Sequence, residues 1–414
     1  MPDVILRHAR ASVVEALRDT RVVHVMGPRQ AGKSTLVEDI AATEIRASVV
    51  TLDDRATRAA AQADPTGFIA GLDRPVVIDE VQRVPDLLLA VKQAVDKDKS
   101  PGQFLLTGSS NILTNRRIKD ALTGRIELVT LWPLSQAEIH GVGATFVDNV
   151  FRNDPPRLAH APIGRDAFAA IVAAGGYPEA RLRSPRRRDL WFRDYVDTLL
   201  DRDLRDVSDA LKLAHMPRLL RFLAAQASNL VNYKTVADRL QLHPSTVTSY
   251  AQILETLFLI RRLPAWRPGL GAREVSSPKL DLVDSGLLAH LVGADDDRIR
   301  HDDQVTGMIL ENFVAMEIVK LAPQGAEDAR VYHYRRDRDE VDLILERRSG
   351  DVVGLEVKAT ASPTVGHWSR LAKLRDALGE RFRCGVLLYT GATTLPLGDR
   401  LWAVPLSGLW AAVE

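Results

Sequence analysis

Apolar residues along the chain fall first into short unbroken runs. "RVVHVM" reads as a buried strand, and it is followed by a glycine-containing loop and the helical pattern of "KSTLVEDIAA". "RPVVIDE", "GQFLLTG" and "TGRIELVTL" repeat the strand pattern, with helical stretches between them. Continuous apolar strands alternating with helices predict a parallel sheet covered on both faces.

The pattern changes from about Leu131. "GVGATF" and "NDPPRLAHAPIG" are rich in turn formers and mark a loop-rich passage. Further on, Val236, Leu240 and Leu242 suit one face of a short helix. His243-Pro244-Ser245 then caps a second helix carrying Val247, Tyr250, Ile253 and Leu254, and "LFLIRRL" reads as a strand. Helix, turn, helix and strand is the order of a winged helix, with Ser245, Thr246, Thr248 and Ser249 facing a groove.

In the last third, "GMILENFVAMEIVKLA" reads as an amphipathic helix and "DARVYHYRRDRDEVD" as a strand leading into a hairpin. "EVDLILE" alternates, placing Glu340, Asp342 and Ile344 on one face and Val341, Leu343 and Leu345 on the other. After the turn "RRSGD", Val353, Leu355 and Val357 point inward, leaving Glu356 and Lys358 together opposite. The helix "HWSRLAKLRDALG" and the strand "RCGVLLYTG" complete helix, three strands, helix, strand.

A length of 414 residues predicts two to three domains. The expected division is a parallel-sheet domain over 1–135, a helical linker and winged-helix region over 136–300, and a small α/β domain over 301–414. The net charge of +1 excludes bulk electrostatic binding of polyanions, so any basic surface is local. The single cysteine, Cys384, precludes an internal disulfide and suits a reducing compartment. No secretory leader and no apolar run of membrane-crossing length stands out, so no membrane partner and a cytoplasmic location are expected.

Gly27 to Ser34 fits G-x-x-x-x-G-K-[ST] between a strand and a helix, the setting that a phosphate-binding loop requires. Backbone N–H groups of Gly27, Pro28, Arg29, Gln30, Ala31, Gly32, Lys33, Ser34 and Thr35 (the proline excepted) form the expected ATP cradle, strengthened by the helix N-terminus. Lys33 would reach the β- and γ-phosphates and Ser34 would supply a hydroxyl to Mg2+. "VVIDE" closes a strand on Asp79, which would hold Mg2+ through its water shell, and Glu80, which would polarise the attacking water. Ser109 or Thr107 is placed to sense the γ-phosphate. Phosphoryl transfer calls for an arginine to offset charge, and Arg116, Arg117 and Arg125 follow the sensor strand. One of them acting on a neighbouring subunit would make the protein a homo-oligomer.

Two features bear on nucleic acid. Arg181, Arg183, Arg186, Arg187, Arg188 and Arg193 surround Trp191 and Phe192, a composition suited to phosphate contact and base stacking, or to a merely solvated helix face. The second helix of the winged-helix pattern carries no Arg or Lys, which argues against strong base readout and leaves room for protein contacts.

Across the expected hairpin, Asp342, Glu356 and Lys358 come within reach of one another. Two carboxylates with the Val357 carbonyl could hold Mg2+ while the lysine orients or deprotonates water; the bland alternative is a cross-strand ion pair on a wet face. Glu311, Asp342 and Glu356-x-Lys358 resemble the PD-(D/E)xK nuclease constellation. "GPRQAGKST", "VVIDEVQRVPDL", "LLTGSS", "LTGRI", "KLDLVDSGLL", "EVDLIL" and "LEVKA", in that order, resemble a prokaryotic group of AAA+-type P-loop ATPases with a C-terminal domain of unknown function. That resemblance implies an α/β chain: a P-loop ATPase parallel sheet, a helical and winged-helix region, and a small PD-(D/E)xK-like domain. It also implies metal at Glu311, Asp342 and Glu356 (Mg2+, or Mn2+), with Asp342, Glu356 and Lys358 catalytic beside Lys33, Glu80 and Arg125 of the ATPase.

Two functions follow as expectations. One is ATP-driven processing of branched or broken DNA, with the C-terminal domain as a metal-dependent nuclease. The other is an ATP-gated regulatory or toxin–antitoxin-like switch that binds protein partners through an inactive nuclease-like domain.

Overall fold

The computed structural model describes residues 5–109, 122–152, 158–159, 162–203, 215–267, 277–326, 328–336 and 339–413. Strands Val22–Met26 (β1), Ser48–Thr51 (β2), Val76–Asp79 (β3), Phe104–Gly108 (β4) and Ile126–Thr130 (β5) form a parallel sheet in the order β2-β3-β4-β1-β5. The unbroken apolar runs have a direct cause. Alternate residues of one strand serve two separate cores: Val76, Ile78, Phe104 and Leu106 pack with Leu88 and Val91 on one side, whereas Val23, Val25, Val77 and Leu105 pack with Leu36, Val37 and Ile40 on the other. Each such side chain, fully buried, contributes roughly 1.5–3 kcal/mol. β2 was not anticipated. It is an edge strand pairing only with β3, its positions are largely exposed, and so no apolar run announces it.

One compact unit runs to Pro133 and takes in Thr256–Phe258; the other comprises Leu134–Glu255 and Leu259–Glu414. The second unit contains the order helix Met216–Ala224, strand Asn229–Leu230 (β7), helix Tyr233–Leu240, helix Pro244–Thr256, strands Ile260–Leu263 (β8) and Lys279–Leu282 (β9). A two-residue strand, Leu158–Ala159 (β6), precedes these. β7, β9 and β8 form an antiparallel sheet in that order. Asn232 caps the first helix of the tight pair by accepting from the N–H groups of Lys234 and Thr235, and Gln241 in the left-handed region ends it. Val236, Leu240, Val247, Tyr250 and Leu254 are buried as expected, Ile253 is half-buried, and Ser245 and Ser249 are exposed. Leu242 lies just past the helix rather than on it.

Strands Ala329–Arg336 (β10), Asp339–Arg347 (β11), Val352–Lys358 (β12), Phe382–Tyr389 (β13), Leu395–Gly398 (β14) and Leu401–Pro405 (β15) make a mixed sheet, ordered β10-β11-β12-β13-β15-β14. The expectation stopped at β13; β15 extends the sheet in parallel and β14 closes it antiparallel. A last short strand, Ala412–Val413 (β16), pairs with β6.

Three readings of this region are corrected. The helix Asp303–Leu321 is not amphipathic, because Thr306, Leu310, Val314, Ile318, Ala315, Val319 and Ile309 are all buried and together they point in every direction round its axis. The strict alternation of β11 also fails. Tyr332 pairs with Ile344 but Tyr334 with Val341, so β11 holds one extra residue, a bulge. The bulge brings Val341 and Ile344 into one core with Leu371, Leu374 and Phe382. β12 has no wet face either, since Glu356 is 1% exposed.

Candidate functional site

The phosphate-loop sequence follows β1 directly. A Cβ at Gly27 would lie 2.1 Å from the Leu131 carbonyl oxygen, so only glycine lets the chain pass. Gln30 and Gly32 take positive φ (62° and 93°), turning the backbone into the helix that starts at Lys33. Lys33 is buried, and its Nζ donates to the carbonyls of Gly27 (3.0 Å) and Pro28 (2.8 Å), closing the loop over the chain's own backbone. Ala31 is buried, with its carbonyl accepting from Arg7 at 2.7 Å, and Thr35 is exposed on the helix.

Asp79 collects hydroxyls at the C-terminal edge of the sheet. Ser34 Oγ donates to its Oδ1 at 3.0 Å, Thr107 donates to the same oxygen, and Thr51 of β2 reaches Oδ2 at 3.4 Å. Glu80 stands in the left-handed region (φ 58°) and its N–H donates to Thr107 Oγ1 at 3.0 Å. Gln82 Nε2 donates both to the Glu80 carboxylate and to Ser109 Oγ, the latter at 2.9 Å. Ser109 therefore bears on Glu80 through Gln82, a residue the sequence reading passed over. It also passed over His24, central in β1 and fully buried, with neither ring nitrogen hydrogen-bonded. Burial, then the charge of Lys33, holds its pKa down at about 3, so it is neutral. The signal was visible: one polar residue inside "RVVHVM".

The second cluster lies in the other unit. Lys279, at the start of β9 and 3% exposed, places its ammonium 2.7 Å from Glu311, 2.8 Å from Glu340 and 3.9 Å from Asp342. Lys358 lies 2.9 Å from Glu356 and 3.6 Å from Asp342, and it donates to the Val357 carbonyl at 2.9 Å. Asp342 Oδ2 accepts from the Val357 N–H at 2.9 Å, taking up a backbone donor just beyond the Leu343–Leu355 pair. Burial, then the charge of Asp342, pushes the carboxyls of Glu311 and Glu356 up to about 8. Burial pulls both lysines down, but the surrounding carboxylates outweigh it and leave them raised.

Sequence reasoning brought Glu311, Asp342, Glu356 and Lys358 to one place, and they do meet. They do not form the expected three-carboxylate metal set. Among the described residues no group of three or more His, Cys, Asp or Glu is arranged to hold a metal ion. The physical reason is the two ammoniums between the carboxylates, of which Lys279 was not foreseen.

Compared with known proteins, residues 19–140 match the model of an AAA domain. Residues 165–298 and 306–409 match two domains of unknown function, DUF8612 and DUF4143. Uncharacterized protein Rv2008c of Mycobacterium tuberculosis and Uncharacterized protein Mb2031c of Mycobacterium bovis are each 30% identical over 401 residues, covering 96% of this chain and 83% of theirs. The chain belongs to their family, and its N-terminal unit carries an AAA-type P-loop ATPase domain. Among solved structures it is similar to a Thermotoga maritima RuvB variant (19% identity, 62% of this chain and 87% of that one, TM-score 0.30). Another is the ADP complex of Saccharomyces cerevisiae Hsp104 (16%, 78% and 48%, TM-score 0.29).

Within the AAA domain, Arg125 does not lie near the phosphate loop of its own chain. It immediately precedes β5, whose first residue pairs with Val22 at the opposite end of β1 from the loop. Its guanidinium grips Asp96, Nε to Oδ1 at 2.5 Å. Arg116 and Arg117 lie outside the described residues.

In the second unit, the arginine–aromatic helix, Pro185–Thr198, uses its rings internally. Trp191 stacks on Tyr195 at 5.0 Å within a pile that includes Tyr177 and Phe192. Arg188 pairs with Asp296, Arg183 with Glu179 and Arg193 with Asp194, while Arg186 and Arg187 are exposed. A cavity of about 470 Å³ beside Arg186 and Arg188 is lined also by Asp189, Asp295 and Asp296, so it is not a basic surface. Among the described residues, no helix is long and apolar enough to cross a membrane.

Proposed function

We propose that this chain hydrolyses ATP and uses the cycle to act on DNA, with the second unit as the DNA-contacting part. The observation that carries the hydrolytic half is the set of side chains around Asp79: Ser34 from the loop, Thr107 from β4 and Glu80 next in sequence. Ser34 and Asp79 fit Mg2+, since a hydroxyl and a carboxylate already bonded to each other supply two hard oxygen donors. A bound Mg2+ would neutralise phosphate charge. Lys33 would leave the Gly27 and Pro28 carbonyls for the phosphates, and Glu80 would take the proton of the attacking water.

DNA contact is supported by the helix, strand, helix, helix, strand, strand order, which is that of a winged helix, with Ser245 and Ser249 exposed on the helix after the turn. The mixed sheet with its buried Asp342, Glu356 and Lys358 supports a PD-(D/E)xK-like fold that grips DNA; the carboxylates as placed do not fit a metal, and no cleavage step is derived. A homo-oligomer would let an arginine act across a subunit boundary. One observation favours the rival reading, a switch for protein partners: the helix Pro244–Thr256 has no Arg or Lys with which to meet phosphate.

The deciding experiment measures ATP turnover and DNA binding on linear, forked and four-way DNA, with Mg2+ or Mn2+, beside a Glu356→Ala/Lys358→Ala variant. DNA-stimulated turnover, with binding that weakens steeply with salt, is expected. DNA-independent turnover without binding would move the reading to the protein switch.

A further inference from the structure

Lys279 belongs to β9, in the stretch matched by one family model, while the carboxylates it meets lie in the stretch matched by the other. Its position is fixed from both sides. The next residues of β9 are tied to the helix Asp303–Leu321, where Asn312 accepts from the Leu282 N–H at 2.8 Å and donates to the Leu282 carbonyl at 3.0 Å. Ser228 donates to Asp281 at 3.1 Å. The ammonium is thereby delivered to Glu311, Glu340 and Asp342, one from that helix and two from β11.

Four carboxylates (Glu311, Glu340, Asp342 and Glu356) thus face two lysines. Glu356 adds an independent observation: it is 1% exposed, and while its Oε2 takes Lys358 at 2.9 Å, its Oε1 has no hydrogen-bond partner and is open to a further ligand. A buried carboxylate oxygen left this way is costly unless a cation or donor is nearby. The oxygens that hold Lys279 are hard donors of the kind that take Mg2+ or Mn2+. An ammonium at 2.7–2.8 Å occupies them as a metal ion would.

We propose that Lys279 is the resident cation of this cluster, held where a divalent ion would otherwise sit, so that the chain in this conformation carries no metal there. Without the Lys279 ammonium, the oxygens of Glu311, Glu340 and Asp342, with Glu356 joined to Asp342 through Lys358, are left open to a divalent cation. The proposal goes beyond the DNA reading and does not depend on it.

The test counts bound Mn2+ by loss of the free-ion magnetic resonance signal in nucleotide-free, full-length protein. Wild type and Glu356→Gln should take up the same amount. Lys279→Met should gain about one Mn2+ per chain, lost again when Glu356→Gln is added, and Mn2+ should raise its melting temperature but not that of wild type. Lys279→Arg, which keeps the charge, should gain none. Wild-type uptake that Glu356→Gln abolishes would overturn the proposal, and so would a folded Lys279→Met that binds no more than wild type. Should Lys279→Met not fold, Lys279→Gln, which keeps a donor for Glu311 and Glu340 without the charge, takes its place and is read by the same two outcomes.

Discussion

The hydroxyl of Thr107 stands between Asp79 and Glu80, donating to the carboxylate of the first and accepting from the backbone N–H of the second at 3.0 Å. A residue on β4 thereby sets the direction of two acids at the end of β3. Glu80 occupies the left-handed region there, a conformation that a non-glycine residue holds only when its surroundings fix it.

Thr107→Val keeps the shape and removes both bonds, leaving a buried carboxylate and a backbone N–H short of a partner. It should destabilise the AAA domain by about 1–3 kcal/mol and lower ATP turnover with little change in nucleotide affinity. Urea unfolding and steady-state kinetics check both. Unchanged turnover in a folded variant would show that Thr107 does not position the acids.

Lys33→Ala should abolish hydrolysis. Glu80→Gln should still bind ATP but turn it over roughly 10²–10⁴-fold more slowly, the usual worth of a positioned base. Nucleotide binding by fluorescence, set beside phosphate release, separates the two. Tight binding with full turnover in Glu80→Gln would reject its part in the reaction.

Gln82 bonds Glu80 and Ser109 at once, so it restrains the carboxylate. Gln82→Ala should raise basal turnover severalfold while KM holds. A fall in kcat would mean instead that Gln82 orients Glu80 for the reaction.

Much of this was legible in the sequence, for definite reasons. β1, β3 and β4 are buried on both faces, so their apolar runs are continuous, and the chemistry sits where those runs stop, at Gly27, Asp79 and Ser109. β2 was silent because an exposed edge strand needs no such run. The C-terminal acids could be grouped from their order, but their environment could not. The bulge in β11 moves Val341 across the sheet, and nothing local to "EVDLILE" encodes it. Lys279 left no trace either: it is one lysine in "SPKLDL", and its meaning comes from Glu311, 32 residues away.

Gly354 tests how closely β12 is covered. A Cβ there would lie 2.8 Å from Leu371 and 3.4 Å from Leu374. Both neighbours are leucine side-chain ends, so alanine should be accommodated at a cost of about 1–3 kcal/mol, and valine should cost more. Urea midpoints of the two variants check the order. Equal stability of all three would mean that the helix Ser369–Leu378 packs more loosely than these distances require.

The two units should respond to pH in opposite senses. His24 has a folded pKa of about 3, below its ordinary 6.5, because burial penalises its charge. The unfolded chain binds a proton that the native one refuses, so the stability His24 permits is complete above pH 6.5 and falls as pH drops from there toward 3. Glu356 is the reverse case: burial and Asp342 raise it from 4.5 to about 8. The native carboxyl keeps a proton that the unfolded chain has released, so stability is complete below pH 4.5 and declines as pH rises toward 8. Each fully titrating group sets a slope of roughly 1.4 kcal/mol per pH unit at most. Glu311, with 27% of its side chain exposed, adds less. Amide hydrogen exchange read separately in β1 and β12 should show protection of β1 weakening below pH 6 and that of β12 weakening from pH 5 to 8. Glu356→Gln, which keeps the shape and cannot ionise, should flatten the β12 profile and leave β1 as it was; a β12 profile that keeps its slope in that variant would place the responsible proton elsewhere.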